Sequence, residues 1–105
     1  MLENKIYVGQ LLDAYGELLT QKQRSILESF YLLDNSYSEI AELENTSRQA
    51  IFDCIQKATV TLRNYEEKLG LLAKTVELKA GLSRIKEASD DDEIKHIAEM
   101  LIFKL

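Results

Sequence analysis

Apolar and polar positions alternate with a helical period along nearly the whole chain. Ile6, Leu11, Tyr15 and Leu18 recur at near-helical spacing and predict a first amphipathic helix from about Leu2 to Gly16 or just beyond. Thr20-Gln21-Lys22-Gln23 fits a capping box, in which a threonine hydroxyl accepts from the backbone N–H three residues on. It opens a second helix with Ile26, Leu27, Phe30 and Tyr31 on its apolar stripe, running to about Leu33. Asp34-Asn35-Ser36 then breaks the pattern, because all three residues favour turns.

Two further capping patterns follow closely. Ser36-Tyr37-Ser38-Glu39 predicts a short helix carrying Ile40, Ala41 and Leu43. Glu44-Asn45 interrupts it, with Asn45 able to take a left-handed turn conformation. Thr46-Ser47-Arg48-Gln49 opens the next helix as a third capping box. Two short capped helices around such a turn form a helix-turn-helix.

From Ser47 the apolar stripe is long. Ile51, Ile55, Ala58, Leu62, Tyr65, Leu69, Leu72 and Val76 are spaced alternately by four and three, a heptad-like pattern interrupted by Gly70, where a kink or a break is open. Ser89 is the expected cap of a last helix, with the acidic run Asp90, Asp91, Asp92 and Glu93 at its positive dipole end and Ile94, Ile97, Ala98 and Leu101 on its apolar face.

Composition agrees with an all-α chain of five or six helices: 17 Leu against 3 Val, and no Pro, in 105 residues. The expected division is a helix-turn-helix domain over 1–68, N-terminal helices included, and a C-terminal helical arm over 69–105. That arm either packs on the first part or pairs two copies, since a stripe beyond the reach of a small core is usually an interface. A single Cys excludes an internal disulfide, and no apolar run reaches membrane-spanning length. The N-terminus lacks a basic segment followed by an apolar run, so no secretory leader is expected and the cytoplasm is the expected compartment.

The net charge is −5, poor for a protein that coats nucleic acid nonspecifically, but compatible with a small reading surface. In the predicted helix-turn-helix, Ile40, Ile51 and Ile55 face inward and the small Ala41 sits at the helix crossing. Ser47, Arg48, Gln49, Phe52, Asp53, Gln56 and Lys57 are left as the nucleic-acid-binding candidates. Arginine pairs bidentately with guanine and glutamine with adenine, while serine at a helix N-terminus holds phosphate. Against this, residues 37–68 carry four basic groups and six acidic ones, and Asp53 repels phosphate unless it accepts from a cytosine amino group.

Leu19-Thr20, Gln23-Arg24, Ile26-Leu27, Tyr31, Ser38-Glu39-Ile40-Ala41, Ser47-Arg48-Gln49-Ala50-Ile51, Ile55, Lys57-Ala58 and Leu62 together resemble the helix-turn-helix of sigma factor region four over about 44 residues. With the N-terminal helix and Tyr65-Glu66-Glu67-Lys68-Leu69, residues 2–88 resemble the YlxM family of small bacterial proteins. The resemblance implies a gene beside that of the signal recognition particle GTPase Ffh. It also implies an accessory, regulatory role in the pathway of Ffh and its receptor FtsY, with DNA or signal recognition particle RNA as ligand. The rival expectation is an adaptor whose helix-turn-helix grips a protein of that particle without touching nucleic acid. A region-four mimic that competes for a polymerase surface is a third.

Other candidates read as structural. Cys54 adjoins the buried stripe as a small core residue, and His96 has no Cys or His at metal spacing. The run 90–93 lacks the alternating ligands and turn glycine of a calcium loop. Arg24 is expected to serve packing or a salt bridge. No phosphate loop, nucleophile elbow or zinc spacing is present, so neither enzymatic activity nor a cofactor or metal is expected. Residues 74–86 hold Lys74, Lys79, Arg84 and Lys86 against Glu77 alone, the most basic stretch of the chain.

Overall fold

The computed structural model describes residues 2–105, with side chains from residue 4 onward; Met1 and the side chains of Leu2 and Glu3, where the N-terminal reading begins, lie outside what is described. Among the described residues the chain is all α: α1 (Leu2–Tyr15), α2 (Gln21–Tyr31), α3 (Tyr37–Leu43), α4 (Arg48–Leu69), α5 (Leu71–Ala88) and α6 (Asp92–Lys104), with a 3-10 turn at Gly16–Leu18 after α1. They form two compact units, one ending at Leu69 and one spanning Gly70–Leu105.

In the first unit α1 to α4 enclose one core. Val8, Leu11, Leu12 and Tyr15 from α1 meet Ile26 and Leu27 from α2, Ile40 and Ala41 from α3, and Ile51, Ile55, Ala58 and Leu62 from α4, all buried. The spacing of three and four within each helix puts these side chains on one face, and their removal from water drives the packing. Two residues of the predicted first stripe lie outside the core: Ile6 on α1 and Leu18 in the 3-10 turn after it are exposed by 56% and 58%, and Val8 and Leu12 are buried instead. Apolar residues lie nearly all round α1, so periodicity alone does not choose its inward face; the packing of α2 and α4 does. Tyr15 closes one end of the core, donating its hydroxyl to Glu66 Oε1 at 2.5 Å and packing its ring 5.9 Å from that of Tyr65.

Local signals set the helix ends. The Thr20–Gln23 and Ser36–Glu39 capping boxes both form with their reciprocal bonds. The third predicted box does not. The cap of α4 is Ser47, one residue later than Thr46, and its hydroxyl accepts from the N–H of Ala50 at 3.1 Å. The residue three beyond the cap is therefore alanine, which has no side chain to reciprocate. Thr46 instead closes α3, its N–H donating to the Ala41 carbonyl at 2.9 Å.

Gly70 breaks the long stripe. Its φ of +62° ends α4 and leaves Leu69 and Val76 exposed by 48% and 56%, so the heptad pattern is not one continuous buried seam. The second unit is a helical hairpin, α5 and α6 joined by residues 89–91. Ser89 is not the cap of α6. It ends α5 and accepts from the Asp91 N–H, while the Asp91 carboxylate caps α6 by accepting from the N–H groups of Glu93 and Ile94. Lys86 pairs with Glu99 across the hairpin at 2.8 Å. Among the described residues of this unit Ala98 alone is buried.

Candidate nucleic-acid interface

The helix-turn-helix is α3, the turn 44–47 and the first half of α4. Asn45 takes a φ of +54°, which turns the chain between the helices, and Ser47 starts α4. Ile40 and Ala41 of α3 and Ile51 and Ile55 of α4 are each no more than 5% exposed where the two helices pack together, and burying that face leaves the opposite side of α4 to solvent. All seven candidates are exposed: Ser47, Arg48, Gln49, Phe52, Asp53, Gln56 and Lys57. At about 100° per residue, Gln49, Phe52, Asp53 and Gln56 share a single strip, and Arg48 and Lys57 fall on its opposite edges. Two cations thus bracket a polar strip.

The members of the strip are partly committed to one another. Gln49 Nε2 donates to Asp53 Oδ1 at 3.0 Å, so the amide group suited to adenine is engaged by the carboxylate one turn on. Phe52, 38% exposed, sets its ring at 89° to Tyr37 with centroids 5.7 Å apart, and Tyr37 stacks on Phe30 at 4.9 Å. Lys5 lies over the Phe30 ring and pairs with Asp34 at 2.8 Å. This aromatic row, which ties α2, α3 and α4 together, leaves no trace in linear spacing. The Gln49–Asp53 bond does have a sequence signal, a Gln and an Asp four apart on a helix.

The surroundings are acidic. Glu39, Glu42 and Glu44 are carried by α3 and its cap, and Leu43 among them is 74% exposed. Glu39 accepts from the Ser36 N–H at 2.9 Å, which holds its carboxyl below the usual range. Ser47 accepts through its oxygen and keeps its own hydroxyl proton to donate outward.

The remaining candidates fall in structural places. Cys54 is half-buried, and burial pushes its thiol up, away from nucleophilic character. Arg24 pairs with Glu28 at 3.3 Å. Asp91 of the acidic run is engaged in capping, and among the described residues no group of His, Cys, Asp and Glu is arranged to hold a metal ion. Nor is any described helix long and apolar enough to cross a membrane.

An all-α fold with a capped helix, a left-handed turn and a second helix whose polar strip faces solvent defines a helix-turn-helix protein. The family model for the YlxM / p13-like helix-turn-helix proteins, UPF0122, matches residues 2–100. A UPF0122 protein of Thermoanaerobacter sp. is 41% identical over 106 aligned positions, covering 94% of this chain and 91% of the relative. Others, from Caldanaerobacter subterraneus and Halalkalibacterium halodurans, are each 44% identical, covering 83% and 86% of this chain and 74% and 83% of theirs. The chain belongs to the UPF0122 family, which is named for its helix-turn-helix and not for a catalytic activity.

Proposed function

We propose that this chain is a non-enzymatic regulatory or accessory protein that binds nucleic acid through the N-terminal turns of α4. The observation that carries this reading is the exposure of Ser47, Arg48 and Gln49 at the N-terminus of α4, a helix anchored through its buried Ile51 and Ile55 and packed on α3. In helix-turn-helix proteins these positions meet the nucleic acid first. Arg48 and Lys57 contact phosphates at the edges, Ser47 donates to a third, and the Gln49–Asp53 pair faces bases. The ligand is DNA or the RNA of the signal recognition particle, and the setting is the Ffh and FtsY pathway. Two copies pair through the C-terminal helices, and on DNA two such reading helices match half-sites about 34–36 Å apart.

A second reading is favoured by one feature, the exposed Leu43 among Glu39, Glu42 and Glu44. An apolar residue ringed by carboxylates suits a basic protein surface better than a phosphate backbone, so the alternative is an adaptor gripping a particle protein in the cytoplasm. Titrating nucleic acid with the wild type and with Arg48→Ala/Gln49→Ala separates the two. Loss of nucleic-acid binding with the fold intact supports the first reading; unchanged binding by the double variant removes it.

A further inference from the structure

The α5–α6 hairpin leaves most of its apolar surface in water. Leu78 and Ile85 on α5 and Ile94, Ile97 and Leu101 on α6 are exposed by 43–54%, and Ala98 alone is buried among the described residues of the unit. Leu105 is also exposed, by 43%, so the apolar side chains of the hairpin stand in water, and an exposed apolar patch marks an interaction site.

Gly81 adds an independent observation. Glycine in the middle of a helix weakens it relative to alanine. A Cβ built on Gly81 meets nothing within 4 Å, so no contact inside the chain calls for so small a residue. The notch it leaves opens onto a shallow groove of about 750 Å³ along α5, lined by Leu78, Leu82 and Ile85 together with the charged Lys74, Glu77 and Arg84. Such a notch is what a neighbouring helix needs to insert a side chain as a knob into a hole.

Charge then selects the occupant. Lys86 and Glu99 already pair within the hairpin, which leaves Lys74, Lys79 and Arg84 against Glu77 on α5, while residues 90–93 hold Asp90, Asp91, Asp92 and Glu93. The hairpin is complementary to itself. A membrane surface or an RNA backbone would be repelled by the start of α6, and an acidic partner would be too.

We infer that α5 of one copy of this chain lies in contact with α6 of a second copy, with the groove at Gly81 filled from the partner, so that two hairpins close into a four-helix bundle. The inference rests on the proposed pairing through the C-terminal helices and adds its topology. Two hairpins each half-exposed along their apolar stripes are the two halves of such a bundle. Lys74 and Arg84 on α5 and Glu93 on α6 border the apolar stripes, where salt screens them.

Sedimentation equilibrium of the full chain at low and high salt tests this. The expected result is a dimer that weakens as salt rises. Gly81→Met, a change that strengthens the isolated helix, should weaken association at least tenfold with helix content unchanged. Lys74→Glu/Arg84→Glu and Glu93→Lys should each associate at least tenfold more weakly than wild type, and an equimolar mixture should recover a one-to-one dimer. A dimer that tightens with salt, and whose reversed variants associate as the wild type does, overturns the α5-on-α6 topology and leaves the pairing. A chain monomeric at 100 μM in every condition overturns both, with the nucleic-acid reading untouched.

Discussion

Gln49 on α4 donates its side-chain amide to Asp53 one turn further along, at 3.0 Å, in the middle of the exposed strip of the helix-turn-helix. The bond orients the glutamine oxygen and partly satisfies a carboxylate that would otherwise stand unscreened before a phosphate backbone. It is exposed, so its net contribution to stability is small, and under the proposed function its effect falls on binding.

Asp53→Ala should therefore tighten nucleic-acid binding. Removing one like charge and releasing the Gln49 amide is worth about 0.5–1 kcal/mol, a two- to fivefold gain. Anisotropy titration at fixed salt reads it, and weaker binding by this variant would place the carboxylate on a base amino group instead.

Arg48→Ala should weaken binding at least fivefold. If Arg48 holds a phosphate, the slope of log affinity against log salt falls by about one; if it reads guanine, the loss is about 1–3 kcal/mol and confined to particular sequences.

Ser47 combines a cap with a candidate phosphate contact, and two variants separate these. Ser47→Ala loses the bond to the Ala50 N–H and should cost about 1 kcal/mol, lowering the melting temperature by about 4–8 °C. Ser47→Asp keeps the cap and the stability but adds a charge that repels phosphate, so its melting temperature should hold while affinity falls.

The fold was legible where the signals are local. The Thr20–Gln23 and Ser36–Glu39 boxes need only four residues each, and Ile40, Ile51 and Ile55 are buried as their spacing predicts. Local signals are ambiguous where two nearby residues offer the same chemistry. Thr46 and Ser47 can both cap, as can Ser89 and Asp91, and the geometry of the preceding turn decides between them. The inward face of α1 is likewise not legible in its period: the core takes Val8 and Leu12 and leaves Ile6 out because the neighbouring helices choose the face. Of the candidate site, exposure of the seven residues followed from the buried stripe of α4, but the row Phe30–Tyr37–Phe52 joins three helices and has no linear signature.

Glu39 gives a prediction in pH. Its carboxyl is held below its usual value of 4.5 by the Ser36 N–H and hydroxyl, so the unfolded chain binds the proton more readily. The stabilisation is present above the unfolded value and is lost as pH falls through the lower folded one. Glu39→Gln keeps the reciprocal cap without the titration. Denaturant unfolding at pH 7 and pH 3.5 should show a smaller acid loss for the variant than for the wild type.

At Gly70 the left-handed backbone has open space around the missing Cβ, so strain alone opposes a side chain there. Gly70→Val should destabilise the protein by about 1–2 kcal/mol, and Gly70→Asn should cost clearly less, because asparagine tolerates this conformation. Thermal unfolding of the two variants side by side checks it.

The central claim is that the exposed strip of α4 contacts nucleic acid. Its most direct test is fluorescence anisotropy of the protein titrated into labelled signal recognition particle RNA, with random duplex DNA beside it, at two salt concentrations. Saturable binding to one of these is expected, weakening as salt rises and lost in Arg48→Ala/Gln49→Ala. Absence of binding to both at either salt, from a folded protein, would contradict it and leave the adaptor surface around Leu43 as the functional face.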